Sequence, residues 1–256
     1  QMKNDIKGLD AVIPHANGRS YGDQALGEKV VLTRKYNYIT DFDIKKGIIT
    51  CQCGVTLDEL LEVIVPKGWF LPVTPGTKYI TVGGAIASDV HGKNHHKEGT
   101  FCDHIISFDL MLPDGTTIRC SKKENKEIFH ATCGGNGLTG LVLKAAFSLK
   151  PIETAYIKQR SIKAADIDEL IKLLEENESY TYSVAWIDCV STGKNLGRGV
   201  LLLGEHAKFS DLKNKKQKVE PLVLKNKKKL NVPFYFPNVA LNKLSIKVFN
   251  FLYYHK

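Results

Sequence analysis

The sequence predicts a mixed α+β protein in two domains, and three observations carry that reading. From residue 11 to Pro151, short runs rich in β-branched residues alternate with short, punctuated helices. After Pro151 the texture changes to a longer amphipathic helix followed by two sheet-like runs, so the domains are set at residues 1–151 and 152–256. Nowhere do about 18 apolar residues run together, so no membrane-crossing helix is expected.

The elements follow in order. "AVIPHAN" (11–17), "KVVLT" (29–33), "YITDFD" (38–43) and "GIITCQCG" (47–54) read as strands bounded by turn residues. "TLDELLEVIVPKG" is a helix: Thr56 and Glu59 have capping-box spacing, Leu57, Leu60, Leu61 and Ile64 share a face, and Gly68 ends it. "IISFDLMLPDGTTIRC" is a hairpin turning at Pro113-Asp114-Gly115. Ser121 and Glu124 repeat the capping-box spacing at the start of "KKENKEIFHAT", and "GLVLKAAFSLKP" is a strand that Pro151 ends. In the second domain "DIDELIKLLEEN" places Ile167, Leu170, Ile171 and Leu174 on one helix face, and "YTYSVAWIDCVS" and "RGVLLLGEHA" are strands.

Composition narrows the class. Apolar residues make up 43% and charged residues 25% of the 256, ordinary for a globular protein. The start, "QMKNDIKGLD", has no apolar core of a signal peptide. The six cysteines form no paired C-x-x-C knuckles and are expected as thiols in a cytoplasmic setting. The net charge of +9 is concentrated in residues 208–230, where nine Lys face only Asp211 and Glu220. Such a run is a solvated loop, or a peripheral contact with an anionic membrane at its inner face; without an aromatic platform or recognition motif, no nucleic-acid partner is expected.

Three glycine stretches point to a large anionic ligand. "GGNGLTG" contains G-x-G-x-x-G at Gly135, Gly137 and Gly140, but a helix precedes it and a strand follows. A Rossmann turn needs the opposite order, so that reading fails. "PVTPGTKYITVGGAIASDVHG" offers a tight turn at Pro75-Gly76-Thr77, then a short helix capped by Thr81 with Gly83 and Gly84 in its first turn, where a phosphate is expected to meet free N–H groups. "HANGRSYGDQA" brackets Arg19, Ser20 and Tyr21 between Gly18 and Gly22, a loop suited to wrapping an anion.

Taken in order, "NGRSYGD", "GVTLDELL", "PGTKYITVGGAIASDVHGKNHH", the "PDG" turn and "GGNGLTGL" resemble the PCMH-type FAD-binding domain of the vanillyl-alcohol oxidase superfamily. Within it the chain is most similar to the oxidases of polyprenyl-phosphate-linked ribose, and "YTYSVAWID" and "FPNVALNK" extend the likeness into the second domain. The resemblance implies an α+β FAD-binding domain followed by an antiparallel-sheet substrate (cap) domain, here incomplete. It implies FAD contacts from Asn17, Gly18, Arg19, Ser20 and Tyr21; from Gly76, Thr77, Val82, Gly83, Gly84, Ser88, His91 and Gly92; and from Asn136, Gly137, Thr139 and Leu141. Relatives that attach FAD through histidine place it where Arg19 stands, so non-covalent FAD is expected.

The implied reaction is oxidation of a sugar's secondary alcohol, the 2'-hydroxyl of a polyprenylphosphoryl-ribose, with hydride passing to flavin N5. Tyr21, His91 and Lys93 are then the catalytic candidates, with Lys93, Tyr21 and Trp186 at the substrate; Trp186 reads equally as a core tryptophan. A short-chain reductase is the implied partner that completes an epimerisation. "SDVHGKNHHKEGT" also raises a metal site from His91, His95 and His96, but adjacent His95 and His96 point apart on extended backbone, so none is expected. The alternatives are a soluble alditol or aldonolactone oxidase and a non-catalytic FAD-binding fragment. The resemblance also implies that the first strand of the family domain and the lysine serving as its base fall outside the chain, so weak FAD binding and poor turnover are expected.

Overall fold

The computed structural model describes residues 11–224, 235, 237 and 240–256, which fall into two units dividing between Glu153 and Thr154. In the first unit β1 (Ile13–His15) and β2 (Val30–Leu32) form a short parallel pair. β3 (Ile39–Asp43) and β4 (Ile48–Gln52) form a hairpin, with Ile49 and Cys51 of β4 turned wholly into the core.

Helix α1 (Leu57–Ile64) is capped as its sequence predicts. The Thr56 hydroxyl accepts the Glu59 N–H at 3.2 Å, and the Glu59 carboxylate accepts the Thr56 N–H at 2.8 Å. A cap of this kind stabilises by about 1 kcal/mol. Burial alone would raise the Glu59 carboxyl, but hydrogen bonds from Thr56 and Arg34 outweigh it and hold the group below its usual range. Leu57, Leu60 and Ile64 are buried, and Gly68 closes the following turn in the left-handed region at φ 81°.

Next come the short helix α2 (Val82–Ala87), the strands β5 (Ile105–Met111) and β6 (Thr117–Cys120), helix α3 (Lys126–Thr132) and β7 (Leu141–Ser148). The sheet order is β3-β4-β7-β5-β6, antiparallel throughout, so the last strand lies at its centre. Ring pairs Phe101–Phe147 (5.3 Å) and Phe108–Phe129 (5.2 Å) sit in the buried core.

Two details depart from expectation here. Ser121 caps no helix: its hydroxyl accepts the N–H groups of Lys123 and Glu124, closing a local turn, and α3 starts only after Asn125 in the left-handed region. Ser with Glu three residues on serves a turn as well as a cap, and spacing alone does not separate the two. Pro151 does not merely end β7; Lys150–Pro151 pairs with Trp69–Phe70.

In the second unit β8 (Ile157–Ala164), β9 (Tyr182–Ile187) and β10 (Gly199–His206) form an antiparallel sheet in the order β8-β10-β9. Helix α4 (Ile167–Glu176), capped by Asp166, lies between β8 and β9 in sequence. Its inner face is Ile167, Leu170 and Leu173, packed with Ala164, Leu201 and Leu203. The expected Ile171 and Leu174 point to solvent, because the contact follows the i, i+3 row.

The last helix, α5 (Lys243–His255), is tied to buried Asp188: Asn250 Nδ2 donates to its carboxylate at 2.6 Å, beside Arg198 (Nη2, 2.9 Å) and Ser191 (2.7 Å). Burial pushes the Asp188 carboxyl up, but these hydrogen bonds and that of Val190 outweigh it and hold it at about 2. Lys225 and Lys227–Lys229 of the basic run, Phe236, Asn238 and Val239 of "FPNVALNK" and the start of the chain lie outside the described residues. Among those described, no helix is long and apolar enough to cross a membrane.

Candidate functional site

The first unit holds a cavity of about 610 Å³, a size typical of cofactor and ligand pockets. Its walls come from the three predicted glycine stretches, together with Pro14, Thr33, Cys53, Thr132, Leu141 and Val142. Asn17, Gly18, Arg19, Ser20 and Tyr21 line it from the first loop; Gly76, Thr77, Gly83, Gly84, Ser88 and His91 from the second; Asn136, Gly137 and, just past it, Leu141 from the third. The three loops are linked by hydrogen bonds. Asn136 N–H donates to Ala87 O (2.8 Å) and Gly134 N–H to Ile86 O (3.0 Å), docking the third loop on the end of α2. Asn17 Nδ2 donates to Tyr79 O (2.6 Å), docking the first loop on the second.

The lining has a marked charge. Arg19 brings a guanidinium, and among the described lining residues there is no carboxylate. Hydroxyls of Ser20, Thr77 and Ser88 add donors. Among the described residues no hydrogen bond engages the backbone N–H groups of Arg19, Ser20, Tyr21, Gly76 or Thr77. A Cβ built on Gly76 would meet nothing within 4 Å, so the backbone there is open to a ligand. An anion finds donors here without opposing charge, which fits the pyrophosphate of FAD.

The start of α2 is a different matter and corrects the sequence reading. Its first N–H groups are already engaged: Val82 donates to Val55 O (2.8 Å), Gly83 to Cys53 O (2.8 Å) and Gly84 to the Thr81 hydroxyl (3.2 Å). No donor is left there for a phosphate. Gly83 is glycine because a Cβ would lie 2.9 Å from Cys53 Cβ, so the helix packs against the strand end. Val82 is wholly buried with its amide engaged, and it is absent from the cavity lining.

Other predicted residues separate as well. Gly92 is absent from the lining; its Cα faces the Thr74 carbonyl, where a Cβ would come within 2.2 Å of the oxygen. Thr139 is absent too, and its hydroxyl bonds that of buried Thr132 at 2.9 Å. Lys93 is exposed and off the cavity wall, its N–H held by Thr74 O at 3.1 Å. Tyr21 is fully exposed at the rim. His91 and His95 meet edge to face with ring centroids 5.4 Å apart, and among the described residues no three His, Cys, Asp or Glu side chains gather as metal ligands. Trp186, in the second unit, packs on Tyr253 at 4.6 Å.

Sequence reasoning passed over Asn94, which is fully buried and organises the His91 loop. Its Oδ1 accepts from Thr74 N–H (3.3 Å) and hydroxyl (3.2 Å), and its Nδ2 donates to Pro72 O (2.6 Å). A polar residue between two charged or aromatic ones gives no periodic signal of burial. Cys53 was likewise unassigned; burial, slightly eased by a backbone hydrogen bond, pushes its thiol up to about 12, so it stands at the cavity as a neutral wall.

Residues 8–121 match the FAD binding domain family. Decaprenylphosphoryl-beta-D-ribose oxidase of Mycolicibacterium smegmatis is 38% identical over 255 residues, 98% of this chain and 55% of the relative. Human Delta(24)-sterol reductase is 32% identical over 122 residues, 48% of this chain and 23% of the relative. D-lactate dehydrogenase of Archaeoglobus fulgidus is 30% identical over 139 residues, 52% of this chain and 31% of the relative. The chain thus spans about half the length of the first relative and a smaller share of the others. On these matches the chain carries an FAD binding domain over residues 8–121, within a stretch similar to about half of decaprenylphosphoryl-beta-D-ribose oxidase.

Proposed function

We propose that the chain is the FAD-holding part of an oxidoreductase that oxidises a secondary alcohol of a sugar, the 2'-hydroxyl of a polyprenylphosphoryl-ribose. One observation carries the substrate class. The likeness to decaprenylphosphoryl-beta-D-ribose oxidase runs through 98% of the chain, whereas those to the sterol reductase and the lactate dehydrogenase cover about half. The FAD half of the reading is supported by the carboxylate-free cavity, its Arg19 guanidinium and its open loop amides.

When bound, FAD supplies the acceptor for the hydride leaving the alcohol carbon. The chain's residues bind and orient. Arg19 and the N–H groups of residues 19–21 and 76–77 neutralise the pyrophosphate, and with Arg19 in place of a histidine the cofactor is held without a covalent bond. His91, its ring against that of His95, lines the cavity and would orient the alcohol; exposed Tyr21 at the rim would meet the sugar, and Lys93, exposed and off the cavity wall, its phosphate. The ketone product then requires a reductase partner to complete an epimerisation, and the lysines from Lys208 to Lys218 suit an anionic lipid surface carrying the substrate.

The test is the absorbance spectrum of the purified chain before and after acid precipitation, then anaerobic addition of polyprenylphosphoryl-ribose or a free alditol. A flavin band that leaves with the acid supernatant is expected, and in a separate native, FAD-loaded sample a slow bleaching by the lipid-linked sugar alone. Bleaching by the alditol instead would move the substrate to soluble polyols. A band that neither bleaches would leave a FAD-binding module without this activity.

A further inference from the structure

Helix α2 ends on an unusual residue. Asp89 N–H donates to Ile86 O and Val90 N–H to Ala85 O, both at 3.0 Å, the two bonds of a Schellman turn. The pivot of such a turn sits in the left-handed region, where glycine is free of strain, yet here Asp89 holds it at φ 39°. Its carboxylate has a task that glycine could not perform. Asp89 Oδ1 accepts the Cys102 N–H at 3.0 Å, and beside it Phe101 N–H donates to Val90 O at 2.9 Å. These two bonds close the histidine loop, residues 90–101, at its base. Ser88, Val90 and His91 line the cavity, while half-buried Asp89 does not. The third glycine loop meets the same corner: Gly134, also on the cavity wall, donates to Ile86 O at 3.0 Å, and a Cβ on it would lie 3.6 Å from Asp89 Cβ.

We propose that Asp89 is a positioning residue for the cavity. Its carboxylate ties the base of the histidine loop to the turn Phe101–His104, and its left-handed backbone turns the chain so that Ser88 before it and His91 after it reach one wall. Asp89 acts through those two residues and touches no ligand itself. The inference rests on the reading of this cavity as the FAD site, and it adds a residue off the wall that sets the wall's shape. Strain retained beside a ligand site persists where the surroundings hold it in place, and here the holding bond is that to Cys102 N–H. Two substitutions separate the backbone from the carboxylate. Glycine removes the strain and the tie together; asparagine keeps an oxygen acceptor and tolerates the same backbone, as Asn125 and Asn136 do at positive φ in this chain.

The test makes Asp89→Asn and Asp89→Gly in the whole chain. It reads denaturant unfolding, amide exchange of the FAD-free chain, and the affinity and visible spectrum of added FAD. Asp89→Asn is expected to match wild type throughout. Asp89→Gly is expected to unfold at or above the wild-type midpoint, since glycine takes the left-handed turn freely. Its exchange over residues 90–102 should nonetheless rise about tenfold, the factor for losing a hydrogen bond to a charged acceptor, with α1 unchanged. Its FAD affinity should fall several-fold, and the bound flavin band should move toward that of free FAD. In Asp89→Gly, wild-type exchange over residues 90–102, exchange raised equally in α1, or wild-type FAD affinity and spectrum would each overturn the proposal. So would an Asp89→Asn chain that behaves as Asp89→Gly does. A wild-type chain that takes up no FAD would instead sink the cofactor reading, and exchange would still decide the tie.

Discussion

The turn at Pro75-Gly76-Thr77 and the helix start at Val82-Gly83-Gly84 face the same cavity, and from sequence they read as one continuous phosphate cradle. The structure gives their glycines opposite tasks. At Gly76 the space beyond Cα is open and the amides have no internal partner among the described residues. At Gly83 and Gly84 the amides are engaged, and at Gly83 the missing side chain lets helix and strand approach. A glycine next to a ligand site can therefore serve the ligand or the packing behind it, and only the neighbour opposite its Cα tells which.

The largest break in this comparison is expected at Gly92, which belongs with the packing glycines. Gly92→Ala drives a methyl into the Thr74 carbonyl, 2.2 Å from its oxygen and 2.4 Å from its carbon. Backbone atoms cannot swing aside as a side chain would, so a loss of about 3 kcal/mol is expected in denaturant unfolding. Wild-type stability in this variant would show that the 72–74 and 91–94 segments are not held together as described.

Arg19 tests the other side. Its guanidinium stacks over Tyr79 at 5.9 Å and is otherwise exposed, so Arg19→Ala should leave the unfolding midpoint unchanged. Losing a charge-assisted contact to phosphate, about 2 kcal/mol, should weaken FAD binding more than tenfold and flatten its salt dependence. A titration by flavin fluorescence quenching at two salt concentrations reads both effects.

Gly83→Ala should cost about 1–2 kcal/mol, because the clash at 2.9 Å is with a Cβ and at 3.2 Å with the Cys53 carbonyl, which must shift. Thr81→Ala should cost about 1 kcal/mol by removing the acceptor for Gly84 N–H. It also frees an amide at the helix start; if that end of α2 has no part in holding phosphate, FAD affinity should follow stability and not rise. Tighter FAD binding in Thr81→Ala would restore the cradle the sequence suggested.

What the sequence made legible follows from how local each signal is. The capping box at Thr56 and Glu59 and the hairpin at Asp114 involve residues a few positions apart, and both form as read. Which amides are open at the cavity depends on Val55 and Cys53, about 30 residues from their α2 partners, and no local pattern contains that pairing. Strand β8 was unreadable for a different reason. "IKQRSIKA" is largely exposed and polar, and it is a strand because all eight residues pair with β10. Similarly, Ile171 and Leu174 look like core residues by periodicity, while the neighbour that buries Leu173 lies on a strand about 30 residues away.

The smallest expected effect is the sharpest test. Gly76→Ala adds one methyl where nothing lies within 4 Å, at a residue with no left-handed backbone to strain. Stability should stay within about 0.5 kcal/mol of wild type, as for other substitutions free of clashes. If a phosphate rests on the amides of Gly76 and Thr77, the same methyl stands between the backbone and its ligand, and FAD affinity should fall several-fold with no change in unfolding. A variant that binds FAD as wild type does would move the pyrophosphate away from this turn and onto the first loop alone, where Arg19 and the amides of residues 19–21 would have to carry its whole charge.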